Sequence, residues 1–399
     1  MAKQDKSVNN FPNLRFPGFE GEWETMRLGD VMDFKVTNSF SRENLNYETG
    51  NIKNIHYGDI HTKFQTLFDI EKELVPYING EISLIRISED YYCQEGDIVF
   101  ADASEDLNDV GKSIEIVNLN GEKLLSGLHT LLARPNKKYF HKGFNGYLFK
   151  SVNVRNQIKK EAQGSKVLSI NVGRISNLKL SFPSIEEQQK ISSLLSLIDE
   201  RISKSMKIIE VLKTFKVQTR KKLIVKIIKE DYEPLMVKEI LNYEQPTKYI
   251  VLNTDYSDDK ELTPVLTANK SFILGYTEES FGVYDKGNCI ILDDFTMDLK
   301  YVNFPFKVKS SAIKILTAKD GINLKFVFEY FSFLNFSSNE HKRHYISEIE
   351  KISIVLPKIE VQNNIARFLT ALDEKINLEI DLLTQYELQK RYLLSNLFV

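Results

Sequence analysis

The chain has 399 residues, of which 42% are apolar and 27% charged, which is material for two or three cored domains. Its net charge of −2 argues against a uniformly basic nucleic-acid binder and moves attention to local charge. The polar opening MAKQDKSVNN and the lack of an apolar run of membrane-spanning length predict a soluble, cytoplasmic protein; Cys93 and Cys289, single and far apart, argue against disulfides or a thiolate zinc site.

In chain order, EWETMRLGDVM from Glu22 opens a first globular segment whose strand-like runs, such as GDIVFA, are interrupted by polar clusters. These hold Asn54, His56, Tyr57, His61 and Lys63, then Asp102, Ser104 and Glu105, then Ser126, His129 and Thr130. Such side chains can hydrogen-bond base edges, and lysine can also neutralise phosphate. The same Asp, Ser and Thr residues also serve as turn caps. Gly111-Lys112-Ser113 has the tail of a phosphate loop, but Asp106 stands where the first glycine is needed, and a carboxylate there repels phosphate. A basic run from Arg155 adds Lys159, Lys160, Ser165 and Lys166.

At Pro183 begins PSIEEQQKISSLLSLIDERI, and at Pro357 begins PKIEVQNNIARFLTALDEKI, the same pattern at an offset of 357 − 183 = 174 residues. Ser184 with Glu187 has the spacing of a capping box, in which the glutamate reaches back to the cap. Apolar residues follow at Ile191, Leu195, Ile198, Ile202, Ile209 and Leu212, and in the second copy at Ile365, Leu369, Leu372, Ile376, Leu383 and Tyr386. Steps of three and four make this a coiled-coil seam, broken at Ser205 and Glu379. No Gly or Pro lies between Ser184 and Asp231 or after Lys358, so each copy reads as one helix of roughly 40 residues, about 60 Å long. Residues 200–230 carry ten Lys/Arg against three Glu, a pattern that fits DNA or a solvated helix face equally well.

Between the helices, DYEPLMVKEIL from Asp231 and GNCIILDDFT from Gly287 repeat earlier blocks in the same order. The second globular segment offers Asn269, Lys270, Thr296, Lys309 and Ser310, and the cluster His341, Lys342, Arg343, His344 and Tyr345, which has little reason to be buried. The fold expected is α+β: globular domains over 1–183 and 231–357 alternating with helices over 184–230 and 358–399 that form an antiparallel coiled coil, as an internal two-fold repeat. No nucleophile elbow, metal-ligand spacing or adenine-methyltransferase signature occurs, so the chain reads as one that binds and positions. A degenerate DNA methyltransferase or endonuclease and a helical scaffold without affinity for DNA are the alternatives.

The two P-x-I-E-x-Q helices, each behind a globular segment, with LRFPGFEGEWETMRLGDV from Leu14 in front, resemble the specificity subunit of type I restriction-modification enzymes over essentially the entire chain. The resemblance implies two target-recognition domains, each reading half of a split, asymmetric double-stranded DNA sequence. It also implies two methyltransferase subunits that use S-adenosylmethionine to methylate adenine N6, and optionally restriction subunits that use ATP and Mg2+. This chain would then bind no cofactor or metal and catalyse nothing alone.

Overall fold

The computed structural model describes residues 10–85, 87–268, 271–336 and 344–399. Two compact units divide the chain, Met1–Lys204 with Leu382–Val399, and Ser205–Asp381; each mixes helices and sheets.

In the first unit, a ribbon of Glu24–Arg27 against Lys179–Phe182 ties the two ends of the globular segment together. Five strands run in the order Met32–Lys35, Thr130–Pro135, Ile98–Ala101, Ser113–Asn118, Leu67–Asp69. The GDIVFA run supplies the middle strand, and Ile98, Val99, Phe100 and Ala101 are all fully buried, because a strand covered on both faces is apolar on both. A second sheet runs Lys123–Ser126, Ile52–Ile55, Tyr77–Ile78, Leu45–Asn46, its first pair parallel.

In the second unit, Pro234–Met236 pairs with Ser353–Val355 in the same kind of ribbon. One sheet follows the order Leu241–Glu244, Ile313–Ala318, Cys289–Asp293, Leu299–Val302; the other follows Ile273–Thr277, Thr263–Leu266, Lys307–Val308, its last pair parallel. Four-residue helices occupy matching places in the two units, Leu28–Val31 and Val237–Ile240, each between a ribbon strand and the first sheet strand.

Two long helices span Ile185–Ile228 and Ile359–Asn396. Within the first unit Ile191, Leu195 and Ile198 share a core with Trp23, Tyr147, Leu393, Leu397 and Phe398. Within the second, Ile224, Ile227, Ile365 and Leu369 share a core with Val237, Phe326 and Tyr330. Of the apolar positions read from the sequence, Ile191, Leu195, Ile198, Ile209, Ile365, Leu369 and Ile376 are buried, and Ile202, Leu212, Leu372, Leu383 and Tyr386 are half-buried. Among the described residues no helix is long and apolar enough to cross a membrane.

The repeated P-x-I-E-x-Q has a structural explanation in its glutamine. Gln188 is fully buried; its Nε2 donates to the carbonyls of Pro183 (2.9 Å) and Tyr139 (2.8 Å), and its Oε1 accepts from His141 N (2.9 Å). Gln362 does the same work in the second unit, donating to Pro357 O (2.8 Å) and accepting from Asn323 N (2.9 Å). Each glutamine thus staples a helix start to the preceding globular segment, and a shorter side chain would orphan buried backbone groups.

The expected capping box forms only by half. Ser184 Oγ accepts from Glu187 N, but the Glu187 carboxylate turns away and takes Arg15 in a two-point pair, Nε to Oε1 and Nη2 to Oε2, both 2.8 Å. A charge-assisted fork outcompetes a single backbone amide for the same carboxylate. Leu14 N donates to Asn396 O, so the LRFPGF segment is tied to both long helices.

Candidate nucleic-acid interface

One corner of the first unit gathers most of the cationic and imidazole side chains singled out in its loops. Tyr57 starts the short helix Tyr57–Thr62, capped by His56, whose Nδ1 accepts from Gly58 N. Around the Tyr57 ring lie His56 (centroids 4.7 Å apart), His129 (5.3 Å) and His61 (6.2 Å). His61 Nε2 meets the carbonyl of Ala103 at 3.1 Å, and Lys112 Nζ donates to the carbonyl of His61 at 2.7 Å, so three loops distant in sequence are cross-linked here. His129 Nδ1 lies 3.2 Å from Asp102 Oδ1. Burial pushes the Asp102 carboxyl up, against the pull of His129. His56 is shifted downward, first by burial and then by the nearby Arg42.

Beside this cluster stand Arg42 and Tyr47, which the sequence reading did not single out. Asp59, fully buried, accepts Arg42 Nη2 at 2.7 Å and Lys63 Nζ at 3.0 Å. Both cations also reach the Tyr47 hydroxyl, at 3.1 and 3.3 Å. Hydrogen bonding to Asp59 raises both cations' pKa, keeping them charged, while their outer surfaces stay open to solvent, 44% and 48% exposed. Two pinned cations flanking an exposed ring suit a phosphate and its neighbouring sugar or base. The missed signal is the buried acid: Asp59 organises Arg42 only through contacts distant in sequence.

Other positions fall elsewhere. Asn54 is fully buried and is corrected from a displayed reader to a strut, its Oδ1 accepting from Asn38 at 2.7 Å, because a glycine at 127 lets the next strand come within reach of its amide. His56, 7% exposed, is likewise a helix cap more than a display residue. Ser104 Oγ accepts from Asp106 N in a turn, and Glu105 is exposed. Arg155 holds the carbonyls of Asn108, Val110 and Gly111, and Lys159 holds Asn108 Oδ1 at 2.8 Å, bracing the loop that carries Lys112. Gly111 has φ of +65°, and a Cβ there would meet Ile158 at 2.6 Å, so its glycine serves packing. Lys160, Ser165 and Lys166 are exposed.

In the second unit Thr296, Lys309 and Ser310 are exposed; Thr296 Oγ1 donates to Asp298 and Ser310 Oγ accepts from Ala312 N. Asn269, Lys270, His341, Lys342 and Arg343 lie outside the described residues. His344 and Tyr345, expected at the surface, are buried at 2% and 0% exposure. Both backbone amides donate to Asp294 Oδ1, at 3.1 and 2.8 Å, and Tyr345 packs on Tyr243 with centroids 5.1 Å apart. A buried carboxylate satisfied by two amides draws this segment inward, which local polarity does not reveal. Among the described residues no group of three or more His, Cys, Asp or Glu is placed to hold a metal ion.

The family described as "Type I restriction modification DNA specificity domain" matches residues 20–214 and again 229–387. The chain belongs to this family. It carries the type I restriction-modification DNA specificity domain twice. It is 41% identical to the EcoR124I/EcoR124II specificity subunit of Escherichia coli over 182 residues, 41% of this chain and 45% of that protein, so the aligned stretch spans less than half of that relative. A putative type I restriction enzyme MjaX specificity subunit of Methanocaldococcus jannaschii is 26% identical over 97% of this chain and 95% of its own. In fold, the chain is similar to the type I restriction-modification S subunit of M. genitalium, with a TM-score of 0.69 at 14% identity over 98% of this chain and 99% of that one. A structure described as the basis of complex assembly and conformational transition of the type I system has a TM-score of 0.53 at 13% identity, over 96% of this chain and 98% of that one.

Proposed function

We propose that the two units are target-recognition domains, over residues 1–183 and 231–357, each reading one half of a split, asymmetric DNA target. The long helices, over 184–230 and 358–399, form an antiparallel coiled coil between them, and the two halves descend from one duplicated unit. In support, the family matches twice in one chain, and the same ribbon, four-residue helix and strand pairings recur in the same order. Inside the first unit Asp199 meets Lys390 and Arg201 meets Tyr386, so one helix descends as the other rises. Two methyltransferase subunits dock on this frame and methylate adenine N6 with S-adenosylmethionine, and restriction subunits add ATP- and Mg2+-dependent cleavage.

The observation that carries the DNA-reading role of the first unit is its corner of Arg42, Lys63, Tyr57, His61, Lys112 and His129, held from behind by Asp59 and Asp102. Preorganised polar groups can read base edges, whereas loose lysines add only salt-dependent affinity. The test is methylation by the pure chain alone and with methyltransferase subunits. Adenine methylation at discrete sites should arise only in the mixture; turnover by the pure chain would contradict the division of labour.

A further inference from the structure

His129 is the one histidine among the described residues with a left-handed backbone, φ +56°, in a loop held by several hydrogen bonds. Ser126 and Thr130 hydroxyls bond each other at 2.7 Å, Thr130 Oγ1 donates to Gly127 O, and Thr37 Oγ1 donates to Thr130 O. Asn38 N closes on Ser126 O from outside. At Gly127 a Cβ would fall 2.4 Å from Asn54 Nδ2 and 2.5 Å from Ile55 O, so the loop is pressed against its neighbour. Against this rigid base the His129 ring is half in solvent, 51% exposed, with its edge on Tyr57 and its Nδ1 on Asp102.

Those contacts fix the chemistry of the other ring nitrogen. A carboxylate can only accept, so Nδ1 carries the hydrogen, and in the neutral ring Nε2 is left as a bare acceptor. It has no partner among the described residues and belongs to a ring that faces solvent. Arg42 and Lys63, tied to Asp59 in the same corner, are half-exposed cations able to pair with a backbone phosphate. In a major groove the donors an acceptor can find are the exocyclic amino groups, adenine N6 and cytosine N4.

We propose that His129 reads an exocyclic amino group in the half-site bound by the first unit, with Asp102 as the positioning residue that sets its tautomer. This rests on the DNA-reading role proposed above. The contact belongs to one half-site only: the backbone bond from Asp102 N to His129 O recurs in the second unit as Asp294 N to Ala312 O, where alanine has no ring to offer.

The experiment uses the full chain assembled with its methyltransferase subunits and duplexes carrying the mapped target. Adenines are replaced one at a time by unsubstituted purine and cytosines by 2-pyrimidinone, each lacking the amino group. The variant His129→Gly removes the ring and accepts the backbone angle without strain, and His129→Ala, which likewise offers no acceptor, is the second. At one position of one half-site the native complex should lose about tenfold or more in affinity, while both variants should bind the intact target about that much more weakly and be indifferent to the analogue there. Asp102→Asn should lessen the native sensitivity at the same position. Analogues in the other half-site should affect all proteins equally. The inference is overturned if either variant, melting as the native protein does, keeps native affinity and native sensitivity at every position. A native complex that shows no preference for the mapped duplex would overturn the DNA-reading role itself, a distinct result.

Discussion

Lys216 Nζ lies 2.6 Å from Asp373 Oδ1, and the residues 174 places away from each, Lys390 and Asp199, form the same ion pair. The two pairs have different neighbours. Asp199 also accepts the Tyr147 hydroxyl at 3.0 Å, whereas Asp373 takes Lys325 as well, and Lys216, Arg220 and Lys325 all converge on Glu329, 1% exposed. Burial pushes the Asp373 carboxyl up, but Lys216 and Lys325 more than offset it and hold it below its ordinary value.

Glu329 is therefore the residue on which the second cluster depends. Glu329→Gln leaves Lys216 and Lys325 with Asp373 alone, takes the carboxylate from Arg220, and should destabilise the second unit by about 3 kcal/mol, as expected when one partner of a buried charge network is removed. Tyr147→Phe, which removes a single hydroxyl from the equivalent place, should lower stability by only about 1 kcal/mol. Denaturant unfolding followed by circular dichroism measures both, and equal losses would mean the charge cluster adds nothing beyond one hydrogen bond.

Gln188→Ala and Gln362→Ala should each lower stability by roughly 2–3 kcal/mol, since each leaves a part-buried amide and at least one buried carbonyl without its partner. Glutamate at either position should be worse than alanine, because it can no longer donate to Pro183 O or Pro357 O and buries a charge. Melting temperatures of the four variants decide this, and a tolerated glutamate would remove the staple explanation of the motif.

Much of the fold was legible because it is written in periodicities. The helices follow from steps of three and four over long stretches without Gly or Pro, and the middle strand from the unbroken apolar run Ile98–Ala101. The interface was less so. His61, Lys112 and His129 could be named one by one, but their meeting through Ala103 and Tyr57 depends on contacts across dozens of residues. His344 and Tyr345 were misread for the same reason: the sequence displays their polarity and hides Asp294, which captures their amides from fifty residues away. Glu187 shows that even a local motif yields to a distant arginine.

Glu115 gives a pH dependence. Burial raises its carboxyl to about 7, although Gly143 N (2.5 Å) and Gly146 N (2.7 Å) donate to it. The folded chain then holds a proton that the unfolded chain releases near 4.5, so this group's contribution is fully present below that pH. It falls by roughly 3 kcal/mol as pH rises through about 7, and is flat above. In Glu115→Gln the decline between those limits should be smaller than in the native chain. Parallel declines in chemical denaturation from pH 4.5 to 7.5 would show that Glu115 does not titrate there.

Lys160 and Lys166 are exposed and enter none of the ion pairs seen among the described residues, so replacing both by alanine should leave the fold intact. If they face phosphate, affinity should fall about equally on target and non-target duplexes, and the slope of log affinity against log salt should shrink by about 2. Fluorescence anisotropy over a salt series reads both quantities. An unchanged slope would place these lysines away from the DNA.

If two diverged units in one chain read two different half-sites, each half of the target can be exchanged independently. Long-read sequencing of adenine methylation in cells expressing the chain with methyltransferase subunits, compared with cells in which residues 24–182 are replaced by the first domain of another specificity subunit, reads this out. A bipartite, asymmetric motif with a constant gap is expected, of which the exchange rewrites one half and leaves the other half unchanged. A continuous or palindromic native motif, or an exchange that alters both halves together, would contradict this expectation.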